Sequence, residues 1–144
     1  MKTLEKSGQM VKCLIIDDDR IDAEAVKRLL KKAQIGNPIT HVTDAYQALK
    51  TLHNWQEDGS YPPILLFLDI RMPRMSGVEL MGRLANEPFA PQLNVLVVTT
   101  SRLQQDQEAL EQYNILGTIN KKDLSSSFYN VLEKLGQHFD VKAA

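Results

Sequence analysis

Four short clusters of this sequence hold side chains that could do chemistry together: Asp17-Asp18-Asp19 at the end of CLIIDDD, Asp69 in ILLFLD, Thr99-Thr100-Ser101 in VVTTS, and Asn120-Lys121-Lys122 in INKK. Three adjacent carboxylates call for an explanation, because at an effective dielectric near 20 two carboxylates about 5 Å apart repel by about 3 kcal/mol. One account is local, with Asp19 capping a helix and the other two solvated in a loop. The other is that a divalent cation offsets the repulsion. A further carboxylate, a hydroxyl and a compact ammonium group add a nucleophile and two partners for the oxygens of an anion.

These residues are positioned by alternating elements. VKCLII (11–16) is a short apolar run bounded by acids, and residues 20–33 then place Ile21, Ala25, Leu29, Leu30 and Ala33 at helical spacing. ITHVT (39–43) reads as a second strand, and Asp44 could cap a helix through Trp55 that buries Ala45, Ala48, Leu49 and Leu52. ILLFLD (64–69) and NVLVVTT (94–100) are apolar on both faces, as buried parallel strands are. Helices are expected over about 77–86 and 103–113. ILGTIN (115–120) is the fifth strand, and the segment from Asp123 to about His138 aligns Leu124, Phe128, Val131, Leu132 and Leu135 on one face. Five strand and helix pairs imply a doubly wound α/β fold with a parallel sheet, in which ligands sit beyond the carboxyl ends of the strands. All four reactive clusters fall at that edge.

Composition narrows the function classes. At 144 residues the chain is long enough for one domain that buries roughly 68–70% of its unfolded surface. A formal net charge of -1 argues against a broadly basic surface for nucleic acid or membrane. The single cysteine, Cys13, lies in an apolar run and cannot form an internal disulfide, so a reducing, cytoplasmic setting is expected. MKTLEKSGQM lacks the apolar stretch of a signal peptide, and no run approaches the length of a membrane span.

On the acidic end of IIDDD, on Asp69 with Met72-Pro73 and Gly77 in FLDIRMPRMSG, on VVTTS, and on the lysine of INKK, the chain resembles the receiver domain of two-component response regulators, of the stand-alone chemotaxis type. The resemblance covers about residues 10–138, leaving 1–9 as an amino-terminal extension and 139–144 as a tail. It implies a flavodoxin-like sheet of five parallel strands in the order 2-1-3-4-5 with five helices. It also implies that Asp69 accepts a phosphoryl group from a sensor histidine kinase or a histidine phosphotransfer protein. Mg²⁺ would be held by Asp18, Asp69 and the backbone carbonyl of Arg71, with Asp17 acting mainly through bound water. Lys121 and Thr99 would take phosphoryl oxygens. Lys122 and Thr100 are their register rivals, set aside because Lys122 falls where the family has proline and because the family has a small residue after the hydroxyl.

The expected output is phosphorylation-dependent binding of a protein target, or of a second copy, through the fourth helix, fifth strand and fifth helix. No output domain, direct nucleic-acid contact or metabolic enzyme activity is expected. Two departures stand out: Thr118 replaces the aromatic residue usual three positions before the lysine, and Lys122 replaces the following proline. They support the alternative of a receiver-like adaptor indifferent to phosphorylation. A metal-dependent phosphatase with an aspartyl nucleophile would need an acid two residues after Asp69, where Arg71 stands. His41, His53 and His138 show no metal-ligand spacing and are assigned no role.

Overall fold

The computed structural model describes residues 1–56, 60–100 and 104–143. In chain order its elements are β1 (Lys2–Lys6), β2 (Gln9–Met10), β3 (Lys12–Ile16), α1 (Arg20–Lys32), β4 (Ile39–Val42), α2 (Ala45–Asn54), β5 (Ile64–Leu68), α3 (Gly77–Leu84), β6 (Leu93–Thr99), α4 (Gln104–Leu110), β7 (Ile115–Asn120), α5 (Leu124–His138) and β8 (Asp140–Ala143). The main sheet runs β4-β3-β5-β6-β7, all parallel. Counting its strands along the chain gives 2-1-3-4-5, the order implied by the family resemblance.

The alternation of side chains across a strand divides the core in two. Cys13, Ile15, Leu65, Phe67, Leu96 and Val98 face α1 and α5, while Leu14, Ile16, Leu66, Leu68, Val95 and Val97 face the other way, toward α2 and α3. Every residue of β5 is buried, which is why ILLFL shows no polar alternation. Helix α1 departs from the expected stripe. It buries Ala23, Val26 and Leu30, and Ile21 is 77% exposed. Ile21 sits in the first turn, next to the capping Asp19 at the carboxyl edge of the sheet, and is left uncovered by the described residues.

The terminal segments build a second sheet that the sequence reading leaves as extension and tail. It is antiparallel, in the order β2-β1-β8. Ser7 and Gly8 form the two-residue turn between β1 and β2, both with positive φ, as a tight hairpin requires. This sheet is anchored by Leu4 and Phe139, both buried in the α1 and α5 side of the core. It is also held by Asn37, whose side-chain amide stands in for a backbone partner. Asn37 Oδ1 accepts from Leu4 N–H at 2.7 Å, and Nδ2 donates to the carbonyls of Leu4 and Val11, both at 2.8 Å.

Buried polar groups stripped of their partners cost about 1–3 kcal/mol each. Asn37→Ala leaves Leu4 N–H without its acceptor and is expected to destabilise the protein by about 2–3 kcal/mol, read from the urea midpoint at unchanged slope. A loss below about 0.5 kcal/mol would mean that the terminal sheet does not depend on this side chain.

Candidate functional site

The site lies at the carboxyl ends of β3, β5 and β7. Asp17 N–H donates to the Val42 carbonyl at 3.1 Å, and Asp69 N–H to the Ile16 carbonyl at 3.0 Å, so the backbone ladder continues one residue past each strand. The side chains of both aspartates are nearly fully enclosed. Asp19 caps α1 as expected, its Oδ1 accepting from Ile21 N–H at 2.8 Å and Asp22 N–H at 3.3 Å. Asp17 is tied down in turn, since its Oδ1 accepts from Asp19 N–H at 2.9 Å. Asp18 is exposed, and oxygens of Asp17, Asp18 and Asp69 come within 4.8 Å of one another.

The turn after Asp69 is shaped by close backbone approach. Gly77 N–H donates to the Ile70 carbonyl at 2.8 Å, and a Cβ at Gly77 would fall 2.5 Å from the Asp69 carbonyl oxygen and 2.8 Å from Ile70 Cα. Only glycine allows α3 to begin so near the reactive residue. Arg71 N–H donates to Asp69 Oδ1 at 3.2 Å, while the Arg71 guanidinium reaches Asp106 Oδ2 on α4 at 3.0 Å.

Lys121 enters from the end of β7 and is the cation at the centre. Its Nζ lies 2.8 Å from Asp17 Oδ2, 3.0 Å from Asp22 Oδ2 and 3.3 Å from Asp69 Oδ2. Its rival Lys122 is exposed. The hydroxyl registers separate in the same way. Thr99 is buried at the end of β6, opposite Asn120 of β7, whereas Thr100 is exposed and Ser101 lies outside the described residues.

Two contributors carry no role in the sequence reading: Asp22, and His41, which that reading names but assigns nothing. Asp22 reaches Lys121 from the first turn of α1. His41, on β4, places Nε2 2.8 Å from the Asp17 carbonyl, the geometry of an N–H donated to it, and so steadies the backbone that carries the acids. The only hint of Asp22 in the sequence was its place one turn after the capping Asp19; nothing marked His41.

Burial sets the electrostatics. It pushes Asp69 from an ordinary 3.8 up to about 6, aided by the charge of Asp17 and opposed by Lys121 and the Arg71 N–H. Asp17 is raised for the same first reason, with Lys121 and Asp19 N–H opposing. Lys121 moves upward, since its carboxylate partners outweigh its own burial. For the carboxylates the folded value is the higher one, so the folded protein holds more protons than the unfolded chain between about pH 4 and 6. Stability from Asp69 therefore falls as pH rises through that window.

In chelator-treated protein, Asp69→Asn is expected to be more stable than wild type at pH 7.5 by on the order of 2 kcal/mol, with the difference shrinking toward zero near pH 4. Paired urea titrations at the two pH values test this. A difference that does not change with pH would contradict the burial account.

The chain matches the response regulator receiver domain over residues 13–132. Among known proteins it is 30% identical over 119 residues to stress response regulator protein 1 of Debaryomyces hansenii, an alignment spanning 83% of this chain and 46% of that one. It is 28% identical over 94 residues to response regulator Rcp1 of Synechocystis sp., spanning 65% and 64% of the two chains. The chain thus spans about half to two thirds of the length of these relatives. Its fold is similar to the crystal structure of a two-component response regulator from Cytophaga hutchinsonii, with a TM-score of 0.72 at 23% identity over 90% of this chain and 98% of that one. A similar likeness, with a TM-score of 0.68 at 23% identity over 85% and 89%, holds for the Mn²⁺-bound form of response regulator Rcp1. With the family match covering the main sheet, the acidic edge and most of α5, this chain belongs to the response regulator receiver domain family.

Proposed function

We propose that the protein is a phosphoacceptor switch that takes a phosphoryl group onto Asp69 from a phosphohistidine of a sensor kinase or phosphotransfer protein, and that signals through a partner protein. The observation that carries this is Asp69 itself: an enclosed carboxylate at a strand end, clustered with Asp17 and Asp18 and within 3.3 Å of the Lys121 ammonium. In the transfer, an Asp69 carboxylate oxygen attacks phosphorus, a P–O bond forms, and the P–N bond breaks with its electron pair left on the imidazole nitrogen.

The donor set suits a hard divalent cation, because all three clustered groups are carboxylate oxygens. Mg²⁺, when bound, would neutralise the charge between an anionic nucleophile and an anionic phosphoryl group. Asp18, Asp69 and the Arg71 carbonyl would hold it. By the family resemblance, Asp17 would act mainly through water. That response regulator Rcp1, whose fold is similar, has a Mn²⁺-bound form is in keeping with a divalent ion here.

Lys121 and Thr99 would take phosphoryl oxygens. Movement of Thr99 and its loop would be passed to α4, β7 and α5, the face proposed to meet the target or a second copy of the chain; Leu103, at the start of that face, lies outside the described residues. The switch is a self-catalysed phosphoryl transfer and hydrolysis rather than a metabolic reaction. Among the described residues no helix is long and apolar enough to cross a membrane.

Incubating the protein with Mg²⁺ and acetyl phosphate should give one adduct of phosphoryl mass, stable in acid and labile in base. Asp69→Asn should abolish it and Asp18→Ala should slow its formation at least about tenfold. The same adduct in Asp69→Asn would sink the assignment. Wild-type protein that takes up no phosphoryl group would point to the adaptor that ignores phosphorylation.

A further inference from the structure

We propose that Asp22 is a positioning residue that restrains Lys121 and sets how readily its ammonium group turns to a phosphoryl group on Asp69. The inference rests on the phosphoacceptor reading and extends it to a residue outside the acid cluster. An ammonium group has three N–H donors, and Lys121 Nζ has three carboxylate neighbours, Asp17, Asp22 and Asp69, at 2.8, 3.0 and 3.3 Å. Before phosphorylation, all three donors therefore face carboxylates among the described residues.

A phosphoryl group on Asp69 brings strong acceptor oxygens and a charge of about −1.5 to −2. Phosphorylation converts the Asp69 carboxylate into an acyl phosphate and so frees the donor that faces Asp69 Oδ2; for Lys121 to turn a second N–H to the phosphoryl oxygens, one of its other two contacts must yield. The Asp17 contact is the costly one to lose, because Asp17 is enclosed and its other oxygen is held by Asp19 N–H. Asp22 differs in three respects. It stands on the first turn of α1, it lies outside the group of Asp17, Asp18 and Asp69, and its side chain is 37% exposed. A carboxylate that water can reach recovers its solvation when its partner leaves, so the Asp22 contact is the one released at lowest cost. Its strength then decides how much of Lys121 the phosphoryl group can claim.

Replacing the charge while keeping an acceptor isolates the effect, because hydrogen bonds to a charged partner are about twice as strong as those between neutral groups. In Asp22→Asn, beryllofluoride, an acyl-phosphate mimic, should bind about threefold or more tightly at saturating Mg²⁺, measured by calorimetry. Mg²⁺ titrated alone should bind within about twofold of wild type, since Asp22 is outside the clustered oxygens. Asp22→Glu should return toward wild-type affinity for the mimic. The decisive comparison is made in Lys121→Met, where Asp22→Asn should bring no gain. Unchanged or weaker binding in Asp22→Asn overturns the inference. A gain that persists in Lys121→Met also overturns it, because Asp22 would then act on the anion directly through space. If wild type fails to bind beryllofluoride, or Asp69→Asn binds it equally well, the phosphoacceptor reading falls and takes this inference with it.

Discussion

One charge imbalance governs the carboxyl edge of this sheet. Asp17, Asp18, Asp22 and Asp69 gather there, and three of them share the ammonium of Lys121. Desolvation makes the arrangement expensive, as the upward displacement of Asp17 and Asp69 records. A fold optimised for stability alone would replace such a group with apolar side chains of similar volume. The surplus of negative charge is instead a standing preference for cations, and a divalent ion satisfies it more fully than a second lysine could, because it accepts several oxygens at once.

The backbone around the acids is correspondingly over-determined. Asp17 is held through its N–H by Val42, through its carbonyl by His41, and through both side-chain oxygens by Asp19 N–H and Lys121. Asp69 is fixed by Ile16 at its N–H and by Arg71 N–H at Oδ1, and Gly77 lets α3 press against its carbonyl. Like charges placed together relax by moving apart unless each is separately tethered. These tethers come from β3, β4, β5, α3 and β7, so the site exists only when the sheet has closed in its crossed order.

That dependence explains what could be read in advance. The three central strands β3, β5 and β6 announced themselves because residues buried on both faces must be apolar in unbroken runs, as ILLFL and VLVV are, whereas the edge strands β4 and β7, half exposed, gave a fainter pattern. Asp69 was legible because it follows such a run, and Lys121 because the family resemblance singles out the lysine after the last strand. Asp22 and His41 were not, since their roles rest on partners 99 and 24 residues away, and a side chain does not signal across such a separation. The terminal sheet was hidden for a different reason. Of the five residues of β1 only Leu4 is buried, and every residue of β2 and β8 is exposed, so neither alternation nor apolar content marks them. The Ser7-Gly8 turn was the one available sign, and a two-residue turn without an apolar flank is a weak one. Ile21 misled for the converse reason: helical spacing shows which face a residue shares, and says nothing about whether the first turn extends past the sheet.

The terminal sheet and the acidic edge occupy opposite ends of the same strands. Leu4 bonds to Asn37 and Val11, just before β3 and β4 begin, whereas the acids lie beyond the ends of β3 and β5. Burying Leu4 and Phe139 contributes about 1.5–3 kcal/mol each, and the three hydrogen bonds of Asn37 each add about 1 kcal/mol. A receiver sheet held only by its helices would have to meet the cost of its acids from the shared core. Here added burial at the amino ends of the strands offsets charge crowding at their carboxyl ends. The two do not interfere, since rigidity is supplied at one end of the strands and charge crowding is kept at the other, where a cation could offset it.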